Sequence, residues 1–308
     1  FLKPGDKVLG LRLDHGGHLS HGHPMNFSGM LYNFTQYEVD TATGKIDMEK
    51  VREIALRDKP KMIVAGYSAY AREVEWQKFK DIADEVGAFT FADIAHTAGL
   101  IAAGEMDNPA PIFDVVSTTT HKTLRGPRGA MIMCKEQFAK QVDRAVFPGM
   151  QGGPHDHITA AKAVAFSEAL KPEFKQYAKQ VIANAKLMAE EFMELGYRVI
   201  SGGTDNHLMV VDMTAKGLSG RDVEVILDSC GISVSRSTIP NDPNSPMNPS
   251  GVRFGTPAIT TRGLKQEEVK KIVGWVNAAI EQKDEAEMLD NIKAQVKEMC
   301  LKFPIPSI

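Results

Sequence analysis

A series of short apolar runs, each flanked by polar or glycine-rich stretches, organises the first half of the chain. Lys7-Val-Leu-Gly-Leu11 begins it. Lys61-Met-Ile-Val-Ala-Gly66, Ala88-Phe-Thr-Phe-Ala-Asp93, Phe113-Asp-Val-Val-Ser-Thr-Thr-Thr120 and Ala130-Met-Ile-Met-Cys134 follow, and their length and β-branched or aromatic content predict strands. Between two of them, Trp76, Phe79, Ile82 and Val86 recur at helical spacing, and Gly87 predicts the helix's C-terminal cap. Strands alternating with helices predict an α/β fold with a largely parallel sheet, whose ligands lie beyond the carboxyl ends of the strands.

From about residue 158 the pattern changes. One helical stretch ends near Pro172; a longer one places Phe174, Tyr177, Val181, Ala185, Met188, Phe192 and Leu195 at spacings of three and four, with Gly196 as its stop. Strands are then predicted at Tyr197–Ile200, His207–Met213 and Ile232–Ser235. A helix is expected to begin at Ser219 with Asp222 in capping-box position, with two more in Lys265–Ile280 and Asp284–Leu301. The expected organisation is a large α/β domain over residues 1–170 and a smaller α+β domain over 171–308.

Composition narrows the partners. With 308 residues, 43% of them hydrophobic, the chain can bury a large core. A net charge of -3 and a pI near 6.3 leave no basic footprint for nucleic acid or anionic membrane, so a small-molecule partner is favoured. No apolar run approaches a membrane span and no signal-peptide pattern opens the chain. Cys134, Cys230 and Cys300 are too few and too scattered for a disulfide frame, which fits a reduced, cytoplasmic setting. The chain starts without Met, one turn before a core strand, as though cut from something longer.

Candidate chemistry collects at the predicted strand ends. Lys122, in "STTTHKTLRGPRG", follows the third strand, whereas Asp93 closes its neighbour and His96 lies three residues on, in "FADIAHTAG". By position alone Lys122 is a loop lysine and Asp93 a turn residue. Together they offer what a pyridoxal phosphate site needs: an amine to hold the aldehyde as a Schiff base, and a carboxylate to keep the ring nitrogen protonated. In "DHGGHLSHGHP", His15, His18 and His21 recur every three residues with Asp14 and His23 nearby. The loop's glycines and the absence of HExxH or cysteine partners argue against a metal, and an imidazole lying flat on a cofactor ring is the better use. "FPGMQGGPH", Phe147 to His155, could nest a phosphate on backbone N–H groups. The proline-rich Pro240–Pro249 stretch predicts a rigid loop.

The segments "GGHLSHG", "YSAYAR", "FADIAHTAGLIAAG", "TTTHKTLRGPRG", "FPGMQGGP", "PNDPNSP" and "GVRFGTPAITTRG" occur in this order, and together they resemble serine hydroxymethyltransferase along the whole chain. The resemblance implies a type I pyridoxal 5'-phosphate-dependent fold and transfer of the serine hydroxymethyl group to tetrahydrofolate, giving glycine. It also implies a homodimer or tetramer with the active site at the subunit interface. By position it makes Lys122 the Schiff-base lysine, Asp93 the partner of the pyridine nitrogen and His18 the stacked imidazole. His96 and Ser68 would lie on the phenolic side, with Thr119 and His121 flanking the lysine. Arg253 would fork onto the amino-acid carboxylate, and Gly152 and Gly153 would offer N–H groups to the neighbouring subunit's phosphate. Leu13, Gly17, Leu19, Ser245, Pro246 and Met247 fall where the family contacts folate. Two departures stand out. The family's initial segment, with a glutamate, tyrosines and a Ser-Gly-Ser loop used in catalysis, is absent, so this chain alone is not expected to be fully catalytic. Ser237 stands where the family commonly has an asparagine that helps read the pterin. A threonine-aldolase-type enzyme of the same fold and a non-catalytic cofactor-binding fragment are the alternative readings.

Overall fold

The computed structural model describes residues 1–306, which divide into two compact units. Unit 1 comprises Phe1–Asp40, Lys45–Ser68 and Glu73–Ala178; unit 2 comprises Thr41–Gly44, Ala69–Arg72 and the chain from Lys179.

Unit 1 is built on a six-stranded sheet of β1 (Lys7–Leu11), β2 (Asn33–Tyr37), β3 (Met62–Gly66), β4 (Phe89–Asp93), β5 (Val115–Thr119) and β6 (Ala130–Cys134), in the order β2-β1-β3-β4-β5-β6. The pairs from β2 to β5 are parallel, and β6 returns antiparallel to β5. β3 is buried along its whole length, as expected of a central strand covered on both faces. β2 was not evident from its pattern: "NFTQY" at the sheet edge is only half-buried and carries little apolar signal. Helices α1 (Phe27–Leu31), α2 (Met48–Asp58), α3 (Trp76–Val86), α4 (Ala98–Ala102), α5 (Ala139–Val146) and α6 (Asp156–Ala169) complete most of the unit. On α3, Trp76, Phe79 and Ile82 are buried as their spacing predicts, and Gly87 caps the helix at φ 73°. At the opposite end of the sheet from the candidate site, Asp114 accepts the N–H and hydroxyl of Thr90 at 2.9 and 3.0 Å and the Lys135 ammonium at 3.1 Å, tying β4, β5 and β6 together.

The long helix α7 (Pro172–Glu194) begins in unit 1 and belongs mostly to unit 2. Val181, Ala185, Met188 and Phe192 are buried on it, the three larger side chains worth about 1.5–3 kcal/mol each by removal of apolar surface from water. Leu195, expected on the same face, is 41% exposed, because the helix ends at Glu194 and Gly196 turns the chain at φ 80°. Unit 2 carries a four-stranded sheet of β7 (Arg198–Val199), β8 (Leu208–Asp212), β9 (Ser235–Ser237) and β10 (Gly251–Gly255), in the order β7-β8-β10-β9 with antiparallel pairing. Helices α8 (Gly220–Ser229), α9 (Pro257–Thr261), α10 (Gln266–Glu281) and α11 (Ala286–Lys302) accompany it.

The capping box at Ser219 and Asp222 forms as expected. The strand predicted at Ile232–Ser235 begins instead at Ser235. Gly231 takes a left-handed turn at φ 79° and the Ile232 N–H closes on the Leu227 carbonyl, so Ile232 and Val234 join the core as loop residues. Cys134, Cys230 and Cys300 are free thiols. Among the described residues, no helix is long and apolar enough to cross a membrane.

Candidate active site

Asp93 is the last residue of β4, and Thr119, which ends the adjacent parallel β5, leads by way of Thr120 and His121 to Lys122. Threonines stitch the two loops that leave these strand ends. The Thr123 hydroxyl donates to the His96 carbonyl at 2.9 Å and accepts the Gly99 N–H at 2.9 Å, while Thr119 reaches the Ala95 carbonyl at 3.4 Å. Gly99 permits this approach, since a Cβ there would lie 2.2 Å from the Thr123 carbonyl oxygen. Beyond Lys122 the chain turns at once. Arg125 N–H donates to the Lys122 carbonyl at 2.9 Å and Gly126 N–H to that of Thr120 at 2.7 Å, with Arg125 at φ 59° and its guanidinium 4.0 Å from the centre of the Tyr177 ring. Lys122 is therefore held on a short, pinned loop at the carboxyl edge of the sheet.

Asp93 has two roles for its two oxygens. Oδ1 accepts the Ala95 N–H at 3.0 Å, the turn geometry common for an aspartate after a strand, and Oδ2 meets His21 Nε2 at 3.1 Å. Gly66, at the end of β3, makes room: a Cβ there would stand 2.9 Å from that of Asp93. Burial alone pushes the carboxyl's pKa up. The His21 hydrogen bond and charge, the Ala95 N–H and the charge of His18 outweigh it and hold Asp93 below the ordinary carboxylate value. A largely buried carboxylate kept ionised at a strand end is poised to meet a cation or a protonated ring nitrogen.

The loop after β1 supplies the imidazoles, and each does something different. His15 is buried in a 3₁₀ turn, where its Nδ1 accepts the Val39 N–H at 3.2 Å and burial lowers its pKa. His18 is half-buried, with Nδ1 2.7 Å from the Ser20 hydroxyl; burial, then the charges of His21 and Lys122, lower its pKa against the pull of Asp93. His21, 3% exposed, is the group that orients Asp93. His18, His21 and Asp93 each present a ligand atom within 4.8 Å of the others, a set that shares His18 and His21 with the histidine run and adds Asp93. Among the described residues, His121 Nδ1 is buried without a hydrogen-bond partner, and Arg128 Nη1 lies 3.3 Å from its Nε2. Donation from Arg128 leaves the proton on Nδ1, so a donor beside Lys122 awaits an acceptor.

The remaining predicted residues of unit 1 are more scattered. Ser68 N–H donates to the Gly16 carbonyl at 2.8 Å, joining the end of β3 to the histidine loop. Leu13 is half-buried in the 3₁₀ turn, Gly17 is buried against the Leu11 carbonyl and Leu19 is 45% exposed. Gly152 and Gly153 are exposed just before α6, with open space where a Cβ would stand.

In unit 2, Arg253 lies on the central β10 between Val210 and Ser235, and burial lowers its guanidinium pKa. The chain after it is anchored where the Thr256 hydroxyl donates to the Val181 carbonyl of α7 at 2.8 Å. Ser237, on the edge strand β9, donates its hydroxyl to the Thr238 carbonyl at 3.2 Å. Ser245, Pro246 and Met247 are exposed in the loop that joins β9 to β10, Met247 by 75%.

A family model described as serine hydroxymethyltransferase matches residues 1–276 of the 308. The chain belongs to the serine hydroxymethyltransferase family. With membership comes the type I pyridoxal-phosphate-dependent fold, consistent with the mostly parallel six-stranded sheet, and a transferase activity of the serine hydroxymethyltransferase type. The residues fit the cofactor: an ionised, largely buried Asp93, a lysine on the loop of the neighbouring strand and an orphaned donor on His121 suit an aromatic nitrogen and an aldehyde. His21 as the partner of Asp93 is not legible in the sequence. Its period-three spacing was visible, but a glycine-rich loop gives no face along which to decide which imidazole turns inward.

Proposed function

We propose that this chain carries the cofactor and substrate machinery for reversible transfer of the hydroxymethyl group of serine to tetrahydrofolate, yielding glycine and methylenetetrahydrofolate. The observation that supports this most is the ionised Asp93 bonded to buried His21, beside the strand whose loop holds Lys122. Pyridoxal phosphate, when bound, supplies an electron sink for the pair released as the serine Cα–Cβ bond breaks. Lys122 would hold it through its ε-amine, and Asp93 would keep the proton on its ring nitrogen. His18 would lie against the ring, with Ser68 and His96 at its edge and Gly152 and Gly153 turned to the phosphate of a second subunit in a homodimer or tetramer.

The other residues then divide the work on the substrates. A guanidinium at Arg253 matches a carboxylate as a two-pronged donor, and its partial burial strengthens that pairing. Thr119 and His121 flank the lysine and would steer its proton as substrate amine replaces it. Leu13, Gly17 and Leu19, with Ser245, Pro246 and Met247, would form the folate-facing surface. The test is to supply serine, tetrahydrofolate and pyridoxal phosphate and measure glycine. Glycine formed only with folate supports this reading. Cleavage of β-hydroxy amino acids with no folate response supports an aldolase, and cofactor binding without turnover supports a non-catalytic cofactor-binding role.

A further inference from the structure

The loop between β9 and β10 carries prolines at 240, 243, 246 and 249, so much of its backbone is fixed in advance. Its neck is closed by a single side chain. Asp242 Oδ2 accepts the Ile239 N–H at 3.1 Å and the Ser250 N–H at 2.9 Å, while Oδ1 accepts the Asn244 N–H at 2.9 Å and the Ser250 hydroxyl at 2.5 Å. Ile239 follows β9 and Ser250 precedes β10, so one carboxylate bridges both legs of the hairpin. Ser250 is fully buried, and Asn244 Nδ2 donates to its hydroxyl at 3.0 Å. On the far side the Ser250 carbonyl accepts the Met213 N–H and the Pro249 carbonyl accepts the Gly220 N–H at 2.6 Å, which seats the clamp on the sheet and on the start of α8. The tip, by contrast, presents Ser245, Pro246 and Met247 to solvent.

We infer that Asp242 is a positioning residue that sets co-substrate affinity. It holds the exposed tip in one conformation, so that a flat heteroaromatic ligand meets a preformed surface and little ordering is left for binding. This rests on the reading above that the tip faces folate. The isosteric Asp242→Asn change is a sharp probe. An amide offers one oxygen and one NH₂, and whichever way it turns, the NH₂ faces at least one of the backbone N–H donors of Ile239, Asn244 and Ser250. Ser250→Ala removes one donor of the four and leaves the backbone bonds in place.

The experiment measures, in the cofactor-loaded protein, the tetrahydrofolate KM, the serine KM and the folate-free cleavage of a β-hydroxy amino acid, together with amide hydrogen exchange over residues 239–250. Asp242→Asn and Asp242→Ala are expected to raise the tetrahydrofolate KM about tenfold and Ser250→Ala about threefold, in line with the cost of orphaning polar groups. Exchange in the loop should quicken, while serine KM and folate-free cleavage stay as they were. A loosened loop with unchanged tetrahydrofolate KM overturns the inference. So does a parallel loss of every activity, which marks Asp242 as merely structural. If the unaltered protein shows no folate-dependent turnover, the affinity of tetrahydrofolate for the cofactor–glycine complex replaces its KM as the readout, and absence of that binding refutes the functional reading and the folate role with it. Exchange in the variants then still reports separately whether Asp242 clamps the loop.

Discussion

Replacing His21 with leucine should raise the proton affinity of Asp93 and weaken cofactor binding. The imidazole donates to Oδ2 at 3.1 Å, and both groups are shielded from water. A hydrogen bond to a buried charge is worth about 1.5–3 kcal/mol, and leucine restores none of it. At 1.36 kcal/mol per pKa unit, Asp93 should rise by roughly one to two units. The sign follows from its depressed value: the ionised form's contribution is present above the unfolded carboxylate pKa and is lost as pH falls through the folded one. Without His21, burial is less opposed, so that loss moves to higher pH. If pyridoxal phosphate depends on this carboxylate, its affinity should drop about 10- to 100-fold, since 1.4 kcal/mol is a factor of ten. His21→Gln keeps an N–H near the same point and should recover much of the affinity. Cofactor titrations followed by visible absorbance across pH, with thermal unfolding as a check on the fold, decide it. A leucine variant with unchanged affinity and an unshifted acid limb would refute the role given to His21.

Arg253→Ala should weaken serine and glycine binding by about 2–5 kcal/mol if the half-buried guanidinium anchors the carboxylate, and Arg253→Lys should restore only part; amino-acid titration of the cofactor-loaded protein checks both. Burial keeps His15 neutral in the fold, so its share of stability is full above the ordinary histidine pKa and falls as pH drops below about 6.5, with a slope of at most about 1.4 kcal/mol per pH unit. His15→Asn, which keeps an acceptor for the Val39 N–H, should flatten that acid limb in denaturant unfolding; an unchanged limb assigns it to other groups. Ser237→Asn should tighten folate by about 1 kcal/mol without altering serine binding, because the serine hydroxyl is engaged with the Thr238 carbonyl; titration against the glycine complex measures it.

The parts of the fold that were legible in the sequence are those where one local force dominates. β3 shows as an uninterrupted apolar run because both its faces are covered, and α8 announces itself through Ser219 and Asp222. β2 and β9 are edge strands, β2 half-buried and β9 largely exposed, so no alternation marks them, and β9 lies next to a turn set by Gly231. In the candidate site, Asp93 and Lys122 could be placed at the carboxyl edge of the sheet because Asp93 ends one strand and Lys122 lies just past the end of the next. His21 could not, for its partner is 72 residues away and the turns between depend on contacts no short window contains.

Lone pairs separate the carboxylates that hold the scaffold from the one that can meet a ligand. A carboxylate has about four acceptor positions. Asp242 gives its four to loop and neck donors, and nothing is left for a ligand; its influence on chemistry has to pass through the backbone it clamps. Asp212 gives three, to the N–H and hydroxyl of Thr214 and to Arg198, and Asp114 three, to the N–H and hydroxyl of Thr90 and to Lys135. Asp93 engages the Ala95 N–H and His21, one on each oxygen, so each oxygen keeps a position open although the group is largely buried and ionised. Burial makes an open acceptor costly to leave unmet, and an N–H⁺ donor arriving there is rewarded by the full strength of a charge-assisted bond in a poorly solvated place. That asymmetry is what a ligand-facing carboxylate needs, and it predicts where substitution acts. Asp93→Asn, which can turn an amide N–H toward the incoming ring, should cut cofactor affinity more than it lowers melting temperature, whereas Asp242→Asn should leave cofactor affinity unchanged.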